Sequence, residues 1–201
     1  MQLRRRWRRR LRVNKYDFVF LCPGGIRAIK DPMFLLSLCP RLQAWRLRAR
    51  LLFVGPILER GYGRRFRAAL RAARGARHRA ALSPRQMPGL YAAADAVVNS
   101  SVSEGMSNSL LEAMAAGVPI LARANQGNCA VVSHGRTGLL FTSERDFLRE
   151  AARLLTDAGL RRRLASAARR QARRRHSAAA EAAAHVRLYR RLTRRKRNAR
   201  P

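Results

Sequence analysis

Two carboxylates, Glu104 and Glu112, stand eight positions apart in the segment Ser103-Glu-Gly-Met-Ser-Asn-Ser-Leu-Leu-Glu-Ala113. The first lies in a Ser/Gly-rich loop; the second falls in the second turn of the apolar helix that follows. Helical side chains lean toward the helix N-terminus, so Glu112 and the loop holding Glu104 can face one crevice. Carboxylates grip hydroxyls, whereas cations and backbone amides grip phosphate. Arg27 and Lys30, after the Gly24-Gly25 turn, supply positive charge. The helix starting near Met106 or Ser107 supplies free N–H groups and a positive dipole end, and Gly105 permits a close approach. Together these groups suit a ligand with hydroxyls at both ends and a dianionic diphosphate between them, as in a nucleotide sugar. The same residues also fit a plainer role: a carboxylate near a helix start, a solvated helix face and two of many surface cations.

Positioning such groups requires strands that end where the loops begin. Asp17-Phe-Val-Phe-Leu-Cys22 is a short apolar run closed by Pro-Gly-Gly, the pattern of a buried parallel strand. A helix is expected after Asp31-Pro32, and a strand over Arg50-Leu-Leu-Phe-Val54. The Arg/Ala-rich stretch from Arg64 to Arg74 is expected to be helical. Ser83-Pro84-Arg85-Gln86 has the spacing of a capping box and predicts a helix to about Ala94. A strand over Asp95–Asn99 then leads into the Glu104 loop, and Gly117 stops the Glu112 helix. Val118–Ala122 and Leu139–Phe141 are further strand candidates, with Asn125–Asn128 and Gly135–Gly138 as turns. Helix-forming sequence runs from Glu144 to about Arg195. Strands alternating with helices predict an α/β fold, a single Rossmann-like doubly wound parallel sheet with C-terminal helices. Such sheets bind ligands outside the carboxyl ends of their strands, where both the Gly24-Gly25 turn and the Glu104 loop lie.

The chain has 201 residues, room for one domain with a real core, and 47% of them are hydrophobic. Residues 1–15 read as a disordered basic leader, 16–175 as the folded domain and 176–201 as a helical basic tail. Basic residues outnumber acidic ones 44 to 11, a formal charge of +33, and all but Lys15, Lys30 and Lys196 of them are arginine. A field of that sign attracts polyanions without base-specific contacts. Cys22, Cys39 and Cys129 form no CxxC pair and no His/Cys metal spacing, so neither a disulfide framework nor a metal site is indicated. Free thiols fit a reducing compartment, and no run approaches the roughly 18 apolar residues of a membrane span; a cytoplasmic location is the expectation. Met87, Leu90 and Tyr91 read as core. His78, His134, His176 and His185 have no partner pattern, and Trp7 and Trp45 are a poor platform for stacking bases.

The stretch Val98–Ala122, followed by Gly127-Asn128 and Gly135-Arg-Thr-Gly-Leu-Leu-Phe141, resembles the donor-binding half of the group 1 (family 4) GT-B glycosyltransferases. Gly25-Ile-Arg-Ala-Ile-Lys-Asp-Pro32 and Leu52-Phe-Val-Gly-Pro56 fit the same pattern, so the resemblance covers about Asp17 to Arg175. It implies a role for each matching residue. Glu104 corresponds to the first glutamate of a Glu-x7-Glu motif and faces the transferred sugar; Glu112 corresponds to the second and holds the ribose hydroxyls. Arg27 and Lys30 correspond to the basic pair at the pyrophosphate. Gly25 belongs to their turn, and Gly105, Met106, Ser107 and Asn108 to the loop over the donor. The resemblance further implies hexosyl transfer from a nucleotide sugar, for instance a UDP-sugar, with retention of configuration, no cofactor and no bound metal.

The acceptor-binding half of such enzymes finds no counterpart in these residues, so the acceptor is unread, a truncated form is the expectation, and activity of such a form is not implied. Two further classes stay open. One is a basic module that binds nucleic acid or an anionic surface; the other is an inactive fragment.

Overall fold

The computed structural model describes residues 2–45 and 48–198. Among these, six strands form one parallel sheet: β1 (Phe18–Pro23), β2 (Ala49–Val54), β3 (Ala76–Arg79), β4 (Ala96–Asn99), β5 (Ile120–Arg123) and β6 (Leu139–Phe141). Their order across the sheet is β3-β2-β1-β4-β5-β6. The helices are α1 (Gln2–Arg10), α2 (Pro32–Trp45), α3 (Arg60–Ala72), α4 (Met87–Ala93), α5 (Asn108–Ala116), α6 (Gln126–Val131), α7 (Glu144–Thr156), α8 (Ala158–Arg175) and α9 (Ala178–Asn198). This is the Rossmann-like doubly wound sheet that the strand–helix alternation predicts.

Apart from the edge strand β3, each strand alternates its side chains between two cores, as period-two geometry demands. Phe20, Leu51, Phe53, Val98, Leu121 and Phe141 pack with α2, α3 and α7. Val19, Leu21, Leu52, Val97, Ile120 and Ala122 pack on the other side with α1, α4 and α5. A cluster of Phe34, Phe141 and Phe147, with ring centroids 5.1 to 5.8 Å apart, anchors α2 and α7 over β6. Burying each such ring stabilises the fold by roughly 1.5–3 kcal/mol. Leu160 and Leu164 of α8 belong to the first core and Ala168 and Ala172 to the second, so one helix serves both.

The sequence order reverses at β1, which pairs with β2 on one side and β4 on the other. The crevice beyond these carboxyl ends is the expected ligand position in a doubly wound sheet. β1 runs into the Gly24-Gly25 turn there, and β4 into the Glu104 loop.

Three expectations need correction, and one strand went unread. The leader is not disordered: residues 2–10 form α1, and Trp7, only 7% exposed, packs into the second core. Arg8 is 5% exposed because its guanidinium donates to the carbonyls of Ala93, Asn14 and Asp17 and pairs with Asp95 at 3.1 Å. Arginine density hid a helix in which Arg4 and Arg8 donate to carbonyls of the α4–β4 connection. Second, Ala-Arg-His-Arg over 76–79, read as no element from the sequence, is a strand at the sheet edge, where β2 pairs with its backbone and Arg77 and Arg79 donate to the carbonyls of Arg12 and Arg10 at 2.8 and 2.9 Å. Third, residues 126–131 form the short helix α6 in place of a turn, capped by Asn125, whose Oδ1 accepts from Asn128 N at 2.9 Å. Fourth, the helical run after Glu144 is broken at Asp157, which caps α8 by accepting from Leu160 N at 2.7 Å, and again near His176.

Candidate functional site

The turn after β1 is zipped to the one after β2. Gly24 N donates to Val54 O at 2.9 Å, Ile26 N to Pro56 O at 2.7 Å, and Leu58 N to Ile26 O at 3.0 Å. A Cβ on Gly55 would lie 2.0 Å from Gly24 O, so glycine lets the two loops meet. Glu59 holds the next turn by accepting from Ala28 N at 3.0 Å. The far side of that turn is clamped by the β4–α5 loop: Val102 N donates to Ile29 O at 2.9 Å, and Ser100 Oγ reaches Lys30 O at 2.8 Å.

This clamp delivers the side chain of Lys30 to Glu104, Nζ to Oε1, at 2.5 Å. The same oxygen accepts from Ser101 Oγ at 2.7 Å and Asn99 Nδ2 at 3.0 Å. Burial alone raises the pKa of Glu104, but the hydrogen bonds from Lys30, Asn99 and Ser101 and the charge of Lys30 outweigh it, and the carboxyl titrates below its ordinary range. All three donors meet Oε1; among the described residues no donor meets Oε2. Arg27 lies on the same turn, and its Nε is buried without a hydrogen-bond partner.

Asn99 is the hub of this site. Besides Glu104 it donates to Ser107 Oγ at 3.1 Å, and its Oδ1 accepts from Ser101 N at 2.9 Å and from Asn128 Nδ2 at 3.3 Å. Asn128 is fully buried and ties in the end of β5 by donating to Arg123 O at 2.9 Å. Gly127 completes the packing, since a Cβ there would lie 2.3 Å from the carbonyl oxygens of both Glu104 and Gly105.

Ser107 occupies the N-cap position of α5, but its hydroxyl bonds Asn99 and Ser109 and not the helix backbone. The first-turn N–H groups of α5 therefore have no side-chain cap and point out of the helix start, a ready place for an anion. Gly105, Met106 and Asn108 are exposed at that mouth. Gly117 ends the helix with φ 72°, the left-handed stop predicted for it.

Glu112 sits on the exposed side of α5, and its Oε2 accepts from the hydroxyl of Tyr91 at 2.8 Å. An apolar groove lined by Leu82, Pro84, Met87, Pro88, Ala115 and Ala116 runs beside the pair. The predicted residues thus fall into two groups: Lys30 and Glu104, which touch each other and share their loops with Arg27, and Glu112, whose partner is Tyr91. Asn99, Ser101, Glu59 and Tyr91 are site residues the sequence did not single out. For Asn99 and Ser101 the available signal was their place at the carboxyl end of β4. Among the described residues, no group of three or more His, Cys, Asp or Glu side chains is placed to hold a metal ion, and no helix is long and apolar enough to cross a membrane.

A family model described as glycosyl transferases group 1 matches residues 4–171. Glycosyltransferase 1 domain-containing protein 1 of Xenopus tropicalis is 33% identical over 152 residues, which are 76% of this chain and 44% of that protein. The chain thus spans less than half the length of that relative. Anabaena HepE in complex with UDP-glucose superposes with a TM-score of 0.79 at 22% identity, over 87% of this chain and 48% of HepE. The sucrose-phosphate synthase of Thermosynechococcus elongatus gives a TM-score of 0.80 at 23% identity, over 93% and 48%. The C-terminal domain of the group 1 glycosyl transferase LpcC from Francisella tularensis gives 0.76 at 17% identity, with 93% of that domain covered. The fold is that of the C-terminal half of GT-B glycosyltransferases. A match that starts inside α1 and runs to within a few residues of the end of α8 takes in the whole sheet and both loops of the site, and the chain belongs to the group 1 glycosyl transferases.

Proposed function

We propose that this chain is the donor-binding half of a glycosyltransferase that moves a hexosyl group from a nucleotide sugar to an acceptor. The observation that carries the reading is the convergence of Lys30, Glu104 and the uncapped start of α5 at the carboxyl ends of β1 and β4. Lys30 and Arg27 take the diphosphate together with the α5 amides. Glu112 takes the ribose hydroxyls, and the apolar groove beside it the rest of the nucleoside. Glu104 takes hydroxyls of the transferred sugar through Oε2. HepE, whose fold this chain shares, is solved with UDP-glucose, so a UDP-hexose is the first donor to try.

As the bond between the sugar and the diphosphate breaks, negative charge grows on the departing nucleotide. Fixed cations aimed at that charge stabilise the transition state more than the ground state. Lys30 and Arg27 fill this role, in a retaining, metal-independent transfer. The acceptor is a group this chain does not define.

Calorimetric titration tests the reading. UDP-glucose binds the wild-type chain with EDTA present; Lys30→Ala weakens both UDP and UDP-glucose by about tenfold or more, the worth of a hydrogen bond to a charged group. Glu104→Ala weakens UDP-glucose and spares UDP. Absence of binding across UDP-, GDP- and ADP-linked hexoses would overturn the proposal.

A further inference from the structure

Tyr91 is 2% exposed, its ring lying in the second core beside Leu90 and Ala93. The hydroxyl emerges from that core 2.8 Å from Glu112 Oε2 and 3.3 Å from the carbonyl oxygen of Ser109. Burial, then the hydrogen bond and charge of Glu112, push its ionisation far above the ordinary tyrosine range, so the hydroxyl stays a donor. Glu112 itself is exposed, and an exposed glutamate left alone samples several rotamers. Here one oxygen is held by a group whose own position is fixed by packing, while Oε1 meets no donor among the described residues. The groove alongside is walled by apolar side chains, so this carboxylate and this hydroxyl are its polar features.

We propose that Tyr91 is a positioning residue for ribose recognition: its buried hydroxyl fixes the Glu112 carboxylate so that the free oxygen meets the 2′ and 3′ hydroxyls of a bound nucleotide. The inference rests on the assignment of Glu112 to the ribose. It makes Tyr91 a determinant of ribonucleotide selectivity that acts through Glu112. Preorganisation is the physical gain, because a carboxylate already held in its bound rotamer loses less entropy when the nucleotide arrives.

The test compares uridine, guanosine and adenosine diphosphates, each against its 2′,3′-dideoxy analogue, by calorimetric titration of the wild-type chain and of Tyr91→Phe. Phenylalanine keeps the ring in the core, and the Ser109 carbonyl keeps its place in α5, so the variant folds; circular dichroism verifies this. The wild type prefers the ribonucleotide by about tenfold or more. In Tyr91→Phe that ratio falls to within about threefold, while affinity for the dideoxy analogue is unchanged. In a Glu112→Ala background, Tyr91→Phe has no further effect on the ratio, because the two residues act as one unit. Retained selectivity in Tyr91→Phe, or equal weakening of both nucleotides, overturns the inference and leaves the donor site standing. A wild type that binds nucleotides without preferring ribose overturns the assignment of Glu112, and one that binds none overturns the donor site.

Discussion

The ammonium of Lys30 lies 2.5 Å from Oε1 of Glu104, across 74 residues of sequence. Two loops at the carboxyl edge of the sheet are joined by that contact, and its partners are 25% and 10% exposed. A bound diphosphate would compete with Glu104 for the ammonium, so the carboxylate that keeps Lys30 in place also sets how readily it is released.

Stability should follow the titration of Glu104. Its folded pKa is lowered, so between the folded value and the ordinary one the unfolded chain binds more protons. The contribution is fully present above the ordinary carboxylate value, about 4.3 for glutamate, and is lost as pH falls through the lowered value. Urea unfolding across this window should show a steeper loss for the wild type than for Glu104→Gln. Parallel curves would show that the pair adds nothing to pH-dependent stability.

Asn99 should matter to the sugar end of the donor more than to the nucleotide end. It donates to both Glu104 and Ser107, and Asn99→Ala leaves the carboxylate without one of its three donors. UDP-glucose affinity is expected to fall about tenfold, in line with hydrogen bonds to charged groups, with UDP affinity changed by less than about threefold. Equal losses for the two ligands would mean that Asn99 supports only the fold.

Gly127→Ala should damage the site through the backbone. The new methyl group would lie 2.3 Å from two carbonyl oxygens, closer than any real contact, so the Glu104 loop or α6 must move. The expected result is loss of nucleotide binding with the far-UV spectrum retained, read by titration and circular dichroism. Wild-type affinity in this variant would show that the loop has slack.

Trp7→Ala should be among the costliest substitutions far from the site. The indole packs so tightly over α4 that a Cβ on Gly89 would approach its Nε1 to 1.9 Å. Removing a buried tryptophan costs about 3–5 kcal/mol, measurable by denaturant unfolding. A loss below about 1 kcal/mol would show that α1 is not part of the cooperative unit.

How much of this was legible in the sequence depends on the kind of signal. Apolar runs closed by glycine, such as Phe18–Cys22 and Leu51–Val54, announced β1 and β2 because buried parallel strands need nothing else. Helix-forming sequence from Glu144 announced α7, which Ser143 caps by accepting from Asp146 N at 3.1 Å. Glu104 and Lys30 were readable by type and by their place after strands. Their contact was not, because it depends on Ser100 and Val102 clamping a turn some 70 residues earlier in the chain. Tyr91 looked like core and is core; only the structure shows that its one polar atom reaches a surface carboxylate. β3 and α1 were hidden by arginine, since composition cannot distinguish a solvated guanidinium from Arg8, which spends its donors on buried carbonyls.

Helix α8 contributes its early turns to one core and its later turns to the other. The two sides of the sheet are therefore expected to open together. Opening either one pulls on the same rod, and amide exchange in α2 and in α5 should share a common opening free energy. A donor held at the rim of the sheet would slow exchange on both sides at once, including in helices that touch no part of the ligand.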